Sequence, residues 1–224
     1  MIHLAGDSTV ASGLPAERPM EGWGGCLGHH VDVPVVNHAI GGATTATFID
    51  DGRWAALIEA LEPGDTVVIQ FGHNDQKHPG VLDAAGGYTE RLERMLRDVR
   101  ACRATPVLCT SVERRGFRSG RLAPSHGPYP AAVRALGRRE AVPVIDLTGF
   151  TSWLYEWLGE AASVRLFTHL EPGEAPAWPD GLRDDTHFRD HGADAIAAYV
   201  AWALAGLADR DAHLTPHGRA GSVP

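Results

Sequence analysis

Apolar residues follow two patterns along this chain, and the patterns alternate. Three short, nearly unbroken apolar runs lie at residues 66–71, 106–110 and 142–146, each rich in β-branched side chains and flanked by turn residues. That is how strands buried on both faces read. Two weaker runs, at residues 2–5 and 33–37, precede them. Between the runs the spacing changes to that of a helix. The clearest case is residues 88–103, where Leu92, Met95, Leu96 and Val99 recur at three- and four-residue steps among charged positions. Residues 129–140, 151–159 and 191–207 carry the same signature.

Strand and helix in alternation predict right-handed βαβ units around a parallel sheet. The expected fold is therefore α/β, a three-layer α/β/α doubly wound domain with a flavodoxin-like parallel sheet of about five strands. In such sheets ligands bind beyond the carboxyl ends of the strands, so chemistry is expected in the loops that follow them. Residues 170–181 hold Pro172, Pro176 and Pro179 and are expected to form a long irregular loop. Residues 1–207 are read as one domain, and 208–224 as a frayed carboxyl-terminal tail with Pro216, Gly218, Gly221 and Pro224.

Composition excludes several classes. Hydrophobic residues at 44% against 21% charged describe a globular chain rather than a disordered or fibrous one. The net charge of -8 and the mixing of arginines with acids, as in Glu90-Arg91-Leu92-Glu93-Arg94, argue against nucleic acid as a partner. Lys77 is the one lysine, an arginine bias that reads as genomic base composition. Cys26, Cys102 and Cys109 form no C-x-x-C pair, so neither a disulfide framework nor a zinc knuckle is expected, and a reducing compartment fits. The opening residues show no signal peptide and no segment reaches transmembrane length, so a cytoplasmic protein without membrane contact is expected. Twelve histidines show no zinc spacing, and His29 and His30 on a helix would point different ways. No metal and no cofactor are expected.

Four short segments carry groups that acyl transfer needs. Gly6-Asp7-Ser8-Thr9 follows the first strand, where a tight turn would expose the Ser8 hydroxyl with its own N–H aimed into a site. Taken alone the string also fits a helix cap. Residues 37–45 follow the second strand and include Gly41-Gly42, which can bring a backbone N–H close to a ligand or simply form a βα turn. Phe71-Gly72-His73-Asn74-Asp75-Gln76 ends the most apolar strand, placing the Asn74 amide where it can donate to an oxyanion. Asp184-Asp185-Thr186-His187-Phe188 lies before the last helix and is read as a loop. A base needs a third group to hold its tautomer, and on chemistry alone either Asp184 or Asp185 serves His187.

These four segments, in this order and spacing, resemble blocks of the SGNH (GDSL-like) hydrolases, and their wording resembles the rhamnogalacturonan acetylesterase branch. The resemblance runs from residue 2 to about residue 205. It implies Ser8 as nucleophile, His187 as general base and Asp184 as orienting acid. It implies an oxyanion hole of Ser8 N–H, Gly42 N–H and the Asn74 side-chain amide. Gly22-Trp23-Gly24 matches a family motif, with Trp23 either core or substrate platform, and Asp7, His73 and Asp75 are expected to hold the site loops. The chain departs from the branch at Ala43 and Thr44, where Arg and Ser are common, and the stretch between Lys77 and Tyr88 is short and Gly-rich.

The implied function is a carbohydrate acetylesterase acting by two-step acyl transfer on a small acetylated saccharide, of rhamnogalacturonan type, with no substrate-binding residues assigned. Its rivals are an SGNH lipase or thioesterase for longer acyl chains and a noncatalytic flavodoxin-like binding module. Polar loops carrying His78, His126 and His169 favour sugar. The co-occurrence of Ser8, Asn74 and His187 favours catalysis over binding.

Overall fold

The structure is a computed structural model. It describes residues 1–214, with side-chain surroundings for 1–207. In chain order the elements are β1 (Ile2–Gly6), β2 (Met20–Glu21), α1 (Trp23–Cys26), β3 (Val35–Asn37), α2 (Thr45–Asp50), α3 (Arg53–Glu59) and β4 (Thr66–Gln70). There follow α4 (Gly87–Ala101), β5 (Thr105–Cys109), the two-residue strands β6 (Phe117–Arg118) and β7 (Arg121–Leu122), and α5 (Tyr129–Glu140). The chain continues through β8 (Val144–Ile145), α6 (Leu147–Ser163), β9 (Phe167–Leu170), β10 (Leu182–Arg189) and α7 (Asp190–Leu214).

The main sheet has five parallel strands in the order β3-β1-β4-β5-β8. This is the flavodoxin-like order, in which successive strands first step one way and then the other, leaving a crevice at the switch point between β1 and β4. Strand alternation then divides the core. Leu4, Val68 and Val107 pack with Trp23, Tyr155, Ile196 and Val200 on one face. Ala5, Val67, Ile69 and Leu108 pack with Phe48, Leu92, Met95 and Leu136 on the other. The layers α1, α6 and α7 on one side and α2 to α5 on the other complete the three-layer fold that the apolar pattern predicts.

All five expected sheet strands form. The helix at 151–159 is longer than its spacing suggests, spanning Leu147–Ser163 with a break at Gly159, whose φ is 75°. The final helix runs to Leu214, and residues 215–224 of the expected tail lie outside the described residues. Of the expected loop 170–181, Leu170 ends β9 and residues 171–181 are irregular, apart from one bridge between Ala175 and Trp178.

A second, antiparallel sheet of order β2-β10-β9 corrects one expectation. Asp184 to His187 sit within strand β10, not on a loop. Arg183 pairs with His169 and Phe188 with Phe167, so five steps along β10 face two along β9. The surplus residues are thrown out of the ladder as a bulge, the device by which a strand re-aims side chains. Phe167 and Phe188, both fully buried with ring centroids 5.1 Å apart, anchor the strand where pairing resumes.

Candidate active site

The bulge and the turn after β1 meet. His187 Nε2 lies 2.9 Å from Ser8 Oγ, although the two residues are 179 positions apart. On the other side of the ring, His187 Nδ1 lies 2.7 Å from Asp184 Oδ2. Asp184 Oδ1 accepts from the backbone N–H groups of Thr186 at 2.7 Å and His187 at 2.9 Å. With one carboxylate oxygen on the turn and the other on Nδ1, the proton is held on Nδ1 and Nε2 is left as acceptor. Burial alone would raise the Asp184 carboxyl, but the hydrogen bond and charge of His187 and the two backbone donors outweigh it and hold it below the usual carboxylate range.

Asp185 faces elsewhere. Its Oδ1 accepts from Arg115 Nη1 at 2.8 Å and sits 2.9 Å from His169 Nε2. The bulge thus separates two neighbouring carboxylates that are equivalent in the sequence.

The Ser8 turn is braced from below. A Cβ on Gly6 would lie 2.6 Å from Val10 Cγ2 and 2.8 Å from Gln70 O, so only glycine lets the chain leave β1 against β4 here. Asp7, fully buried, accepts from Thr9 N–H at 3.0 Å and Thr9 Oγ1 at 2.8 Å. Gln70 Nε2 donates to Thr9 Oγ1 at 2.6 Å, and Trp23 Nε1 donates to Gln70 Oε1 at 3.0 Å. Trp23, with no exposed surface, is therefore a core residue and not a substrate platform. His73 Nδ1 lies 3.4 Å from Asp7 Oδ2. Burial would raise the Asp7 carboxyl, yet His73 and Thr9 together lower it.

The remaining loops close around Ser8. Gly41 backs onto it, such that an added Cβ would sit 3.9 Å from Ser8 Cβ, and Gly42 has φ 77°. Asp75 ties this loop to the one after β4, its Oδ1 accepting from Thr45 N–H at 2.9 Å and Thr45 Oγ1 at 2.6 Å. Asn74 Nδ2 donates to Ala43 O at 3.0 Å. Ser8, Gly41, Gly42, Asn74 and His187 line one cleft of about 640 Å³, whose wall also includes Leu14, Glu17, Met20, Ile40 and Lys77.

Of the histidines expected in polar loops, His126 lies in the loop before α5 but is turned inward, and His169 lies on strand β9. His126 is buried, 4.5 Å from the His73 ring and bonded to Val112 O at 2.8 Å, and burial and His73 push it down to about 3. His169 is engaged with Asp185. Lys77 and Arg114 are neighbours of the site that the motifs do not reveal. Lys77 Nζ donates to Asn74 Oδ1 at 2.8 Å, and Arg114 Nη1 donates to Thr186 Oγ1 at 2.7 Å.

Among the described residues, one group has ligand atoms close enough together for a metal: Cys26, His29 and Asp194, mutually within 4.8 Å. His29 and His30 do not diverge as their sequence position suggests; their ring nitrogens lie 3.7 and 2.8 Å from Asp194 Oδ1. Burial and the Glu21 and Asp194 charges push the Cys26 thiol up to about 11, which keeps it protonated and a poor ligand. Cys26, His29 and Asp194 do not line the cleft that holds Ser8.

Comparison with known proteins bears on the family and the fold. The rhamnogalacturonan acetylesterase RhgT of Bacillus subtilis is 44% identical over 203 residues, covering 89% of this chain and 87% of that protein. A second Bacillus subtilis protein, the probable rhamnogalacturonan acetylesterase YesY, is 32% identical over 205 residues, covering 89% of this chain and 90% of its own length. The crystal structure of the Bacillus subtilis protein YxiM superposes with a TM-score of 0.79 at 29% identity, over 93% of this chain but only 56% of that one. The pattern of residues 4–220 matches the GDSL-like lipase/acylhydrolase family. A match of that extent, on a fold that brings the serine, histidine and asparagine segments into one cleft, places the chain in this family.

Proposed function

We propose that the protein is a serine esterase that removes O-acetyl groups from carbohydrate, with oligosaccharides of rhamnogalacturonan type as its substrates. The observation that carries this reading is the hydrogen-bonded line from Ser8 Oγ through His187 to Asp184, at 2.9 and 2.7 Å, with the Asn74 amide in the same cleft. The first distance suits proton transfer from Ser8 to His187, and the second suits an ionised carboxylate that orients the ring. The identity to two proteins named for rhamnogalacturonan deacetylation supports the choice of sugar.

In this mechanism Ser8 Oγ attacks the ester carbonyl carbon as its proton passes to His187 Nε2. Negative charge gathers on the former carbonyl oxygen, where Ser8 N–H, Gly42 N–H and Asn74 Nδ2–H donate to it. The ester bond breaks, His187 returns its proton to the leaving sugar oxygen, and acetyl remains on Ser8. A water then loses a proton to His187, attacks the acyl carbon and releases acetate, restoring the hydroxyl. Asp184 stays ionised throughout and stabilises the imidazolium. Three unpaired cysteines support a reducing, cytoplasmic setting. Among the described residues no helix is long and apolar enough to cross a membrane.

A longer acyl group is the one competing substrate that an observation favours, since Leu14, Met20 and Ile40 line part of the cleft. Acetate release from acetylated rhamnogalacturonan, xylan and chitin oligosaccharides, run beside p-nitrophenyl acetate and octanoate, separates the readings. The expected result is fastest release from rhamnogalacturonan fragments and a preference for acetate over octanoate. Faster cleavage of octanoate would defeat the acetylesterase reading, and a better rate on xylan or chitin would move the sugar.

A further inference from the structure

The Asn74 amide is gripped from both sides. Asn74 precedes a single tight turn, Asp75–Lys77, closed by the Lys77 N–H donating to Asn74 O at 3.0 Å. With three residues per turn, side chains at i and i+3 eclipse. Lys77 therefore folds back over Asn74, and its Nζ donates to Asn74 Oδ1 at 2.8 Å. On the opposite side Asn74 Nδ2 donates to Ala43 O at 3.0 Å. Turning the amide over would set its NH₂ against an ammonium and its oxygen against a carbonyl, so only one orientation satisfies both neighbours. One Nδ2 hydrogen is spent on Ala43, and the other is left for the cleft that Asn74 and Lys77 both line.

The cation also acts on the electrons of the amide. Charge on Oδ1 draws density from Nδ2 and makes the remaining N–H a stronger donor, and bonds assisted by a charge are roughly twice as strong as neutral ones. Composition points to the same residue. Of 20 lysines and arginines, Lys77 is the one lysine. A compact ammonium suits a single acceptor such as Oδ1, whereas a guanidinium fork is shaped for two.

We propose that Lys77 is a positioning residue for the oxyanion hole: it orients and polarises the Asn74 amide and acts on the reaction through that amide. The proposal rests on the reading of Asn74 as an oxyanion donor. The test is a double-mutant cycle on p-nitrophenyl acetate with wild type, Lys77→Met, Asn74→Ala and the double variant. Lys77→Met is expected to lower kcat about tenfold with KM held within about twofold, the split of a contribution made in the transition state. Lys77 is exposed, so the thermal midpoint should not move. In the Asn74→Ala background the same change should have no further effect. A tenfold loss in both backgrounds would show that Lys77 works independently of Asn74 and would overturn the proposal, as would an unchanged kcat in Lys77→Met or a change confined to KM. If Asn74→Ala alone keeps the wild-type kcat, the oxyanion-hole reading itself fails, an outcome distinct from the others.

Discussion

Asp184 and Asp185 are adjacent in sequence, yet their carboxylates serve different partners: Asp184 Oδ2 is 2.7 Å from His187 Nδ1, and Asp185 Oδ1 is 2.8 Å from Arg115 Nη1. The bulge in β10 that separates them turns a chemical ambiguity into a prediction. Asp184→Asn should lower kcat by about a hundred- to ten-thousandfold, because an amide no longer fixes the Nδ1–H tautomer. Asp185→Asn should leave kcat within about threefold and cost roughly 1 kcal/mol of stability or less, as its pair with Arg115 is partly solvent-exposed. Steady-state kinetics on both variants check this, and a larger kcat loss in Asp185→Asn would transfer the orienting role.

The Ser8 hydroxyl and the Asn74 amide should fail by different amounts. Ser8→Ala removes the proposed nucleophile, and since nucleophile and base act as a unit it should lower kcat by roughly three to six orders of magnitude. Asn74→Ala removes one of the three proposed oxyanion donors and should cost about a hundred- to a thousandfold. Labelling by a fluorophosphonate probe should vanish in Ser8→Ala and persist, more slowly, in Asn74→Ala. Wild-type rates in purified Ser8→Ala would exclude Ser8 as nucleophile.

The contrast between these residues and Lys77 shows what a single sequence reveals. Ser8 and Asn74 are legible because each is a polar group set abruptly at the end of an apolar strand, and strand ends are where a doubly wound sheet keeps its crevice. The five strands and the four longer helices are legible for a related reason: burial on both faces or on one stripe writes a period into the sequence. The bulged strand β10 is not, because Asp184 to His187 have been expelled from the ladder and keep no alternation. The short helices α1, α2 and α3 are too brief to show a period. His126 is a loop residue, as the sequence suggests, but its burial against His73 leaves no local signal. Lys77 had a compositional signal, its uniqueness, but its aim depends on a three-residue turn that no period announces.

Asp146 links pH to stability outside the cleft. It caps α6 by accepting from Gly149 N–H at 3.2 Å, and it also accepts from Thr110 Oγ1 at 2.9 Å and from Arg134 Nη2 at 2.7 Å. Burial would raise its carboxyl, but Arg134, Gly149 and Thr110 together hold it below the usual range. A carboxyl lowered by folding contributes stability above its unfolded value and loses that contribution as pH falls through the folded one. Asp146→Ala should therefore cost about 1 kcal/mol at pH 7, the half-exposed pair with Arg134 adding little, and the gap to wild type should close below about pH 4. Urea titrations at neutral and acidic pH measure it; a gap that stays constant into acid would mean that the charge is not what stabilises the helix start.

Gly6 and Gly42 flank the serine turn for unlike reasons, and alanine at each should separate stability from activity. At Gly6 the obstacle is space, since an added Cβ would press within 2.8 Å of the Gln70 carbonyl in β4 and nearer still to Val10. Gly6→Ala should therefore destabilise the protein by about 1–3 kcal/mol, as overpacking does, and lower kcat by displacing Ser8. At Gly42 nothing lies within 4 Å of the new carbon, but φ is 77°, a left-handed conformation that alanine adopts at a cost of about 1–2 kcal/mol. Relaxing that strain rotates the Gly42 N–H, and if this group donates to the oxyanion, kcat should fall by roughly ten- to a hundredfold beside only a small shift in the unfolding midpoint. Urea midpoints and kcat on p-nitrophenyl acetate, measured on both variants, decide the matter: a Gly42→Ala enzyme with full kcat would remove Gly42 from the oxyanion hole and leave its glycine explained by the turn alone.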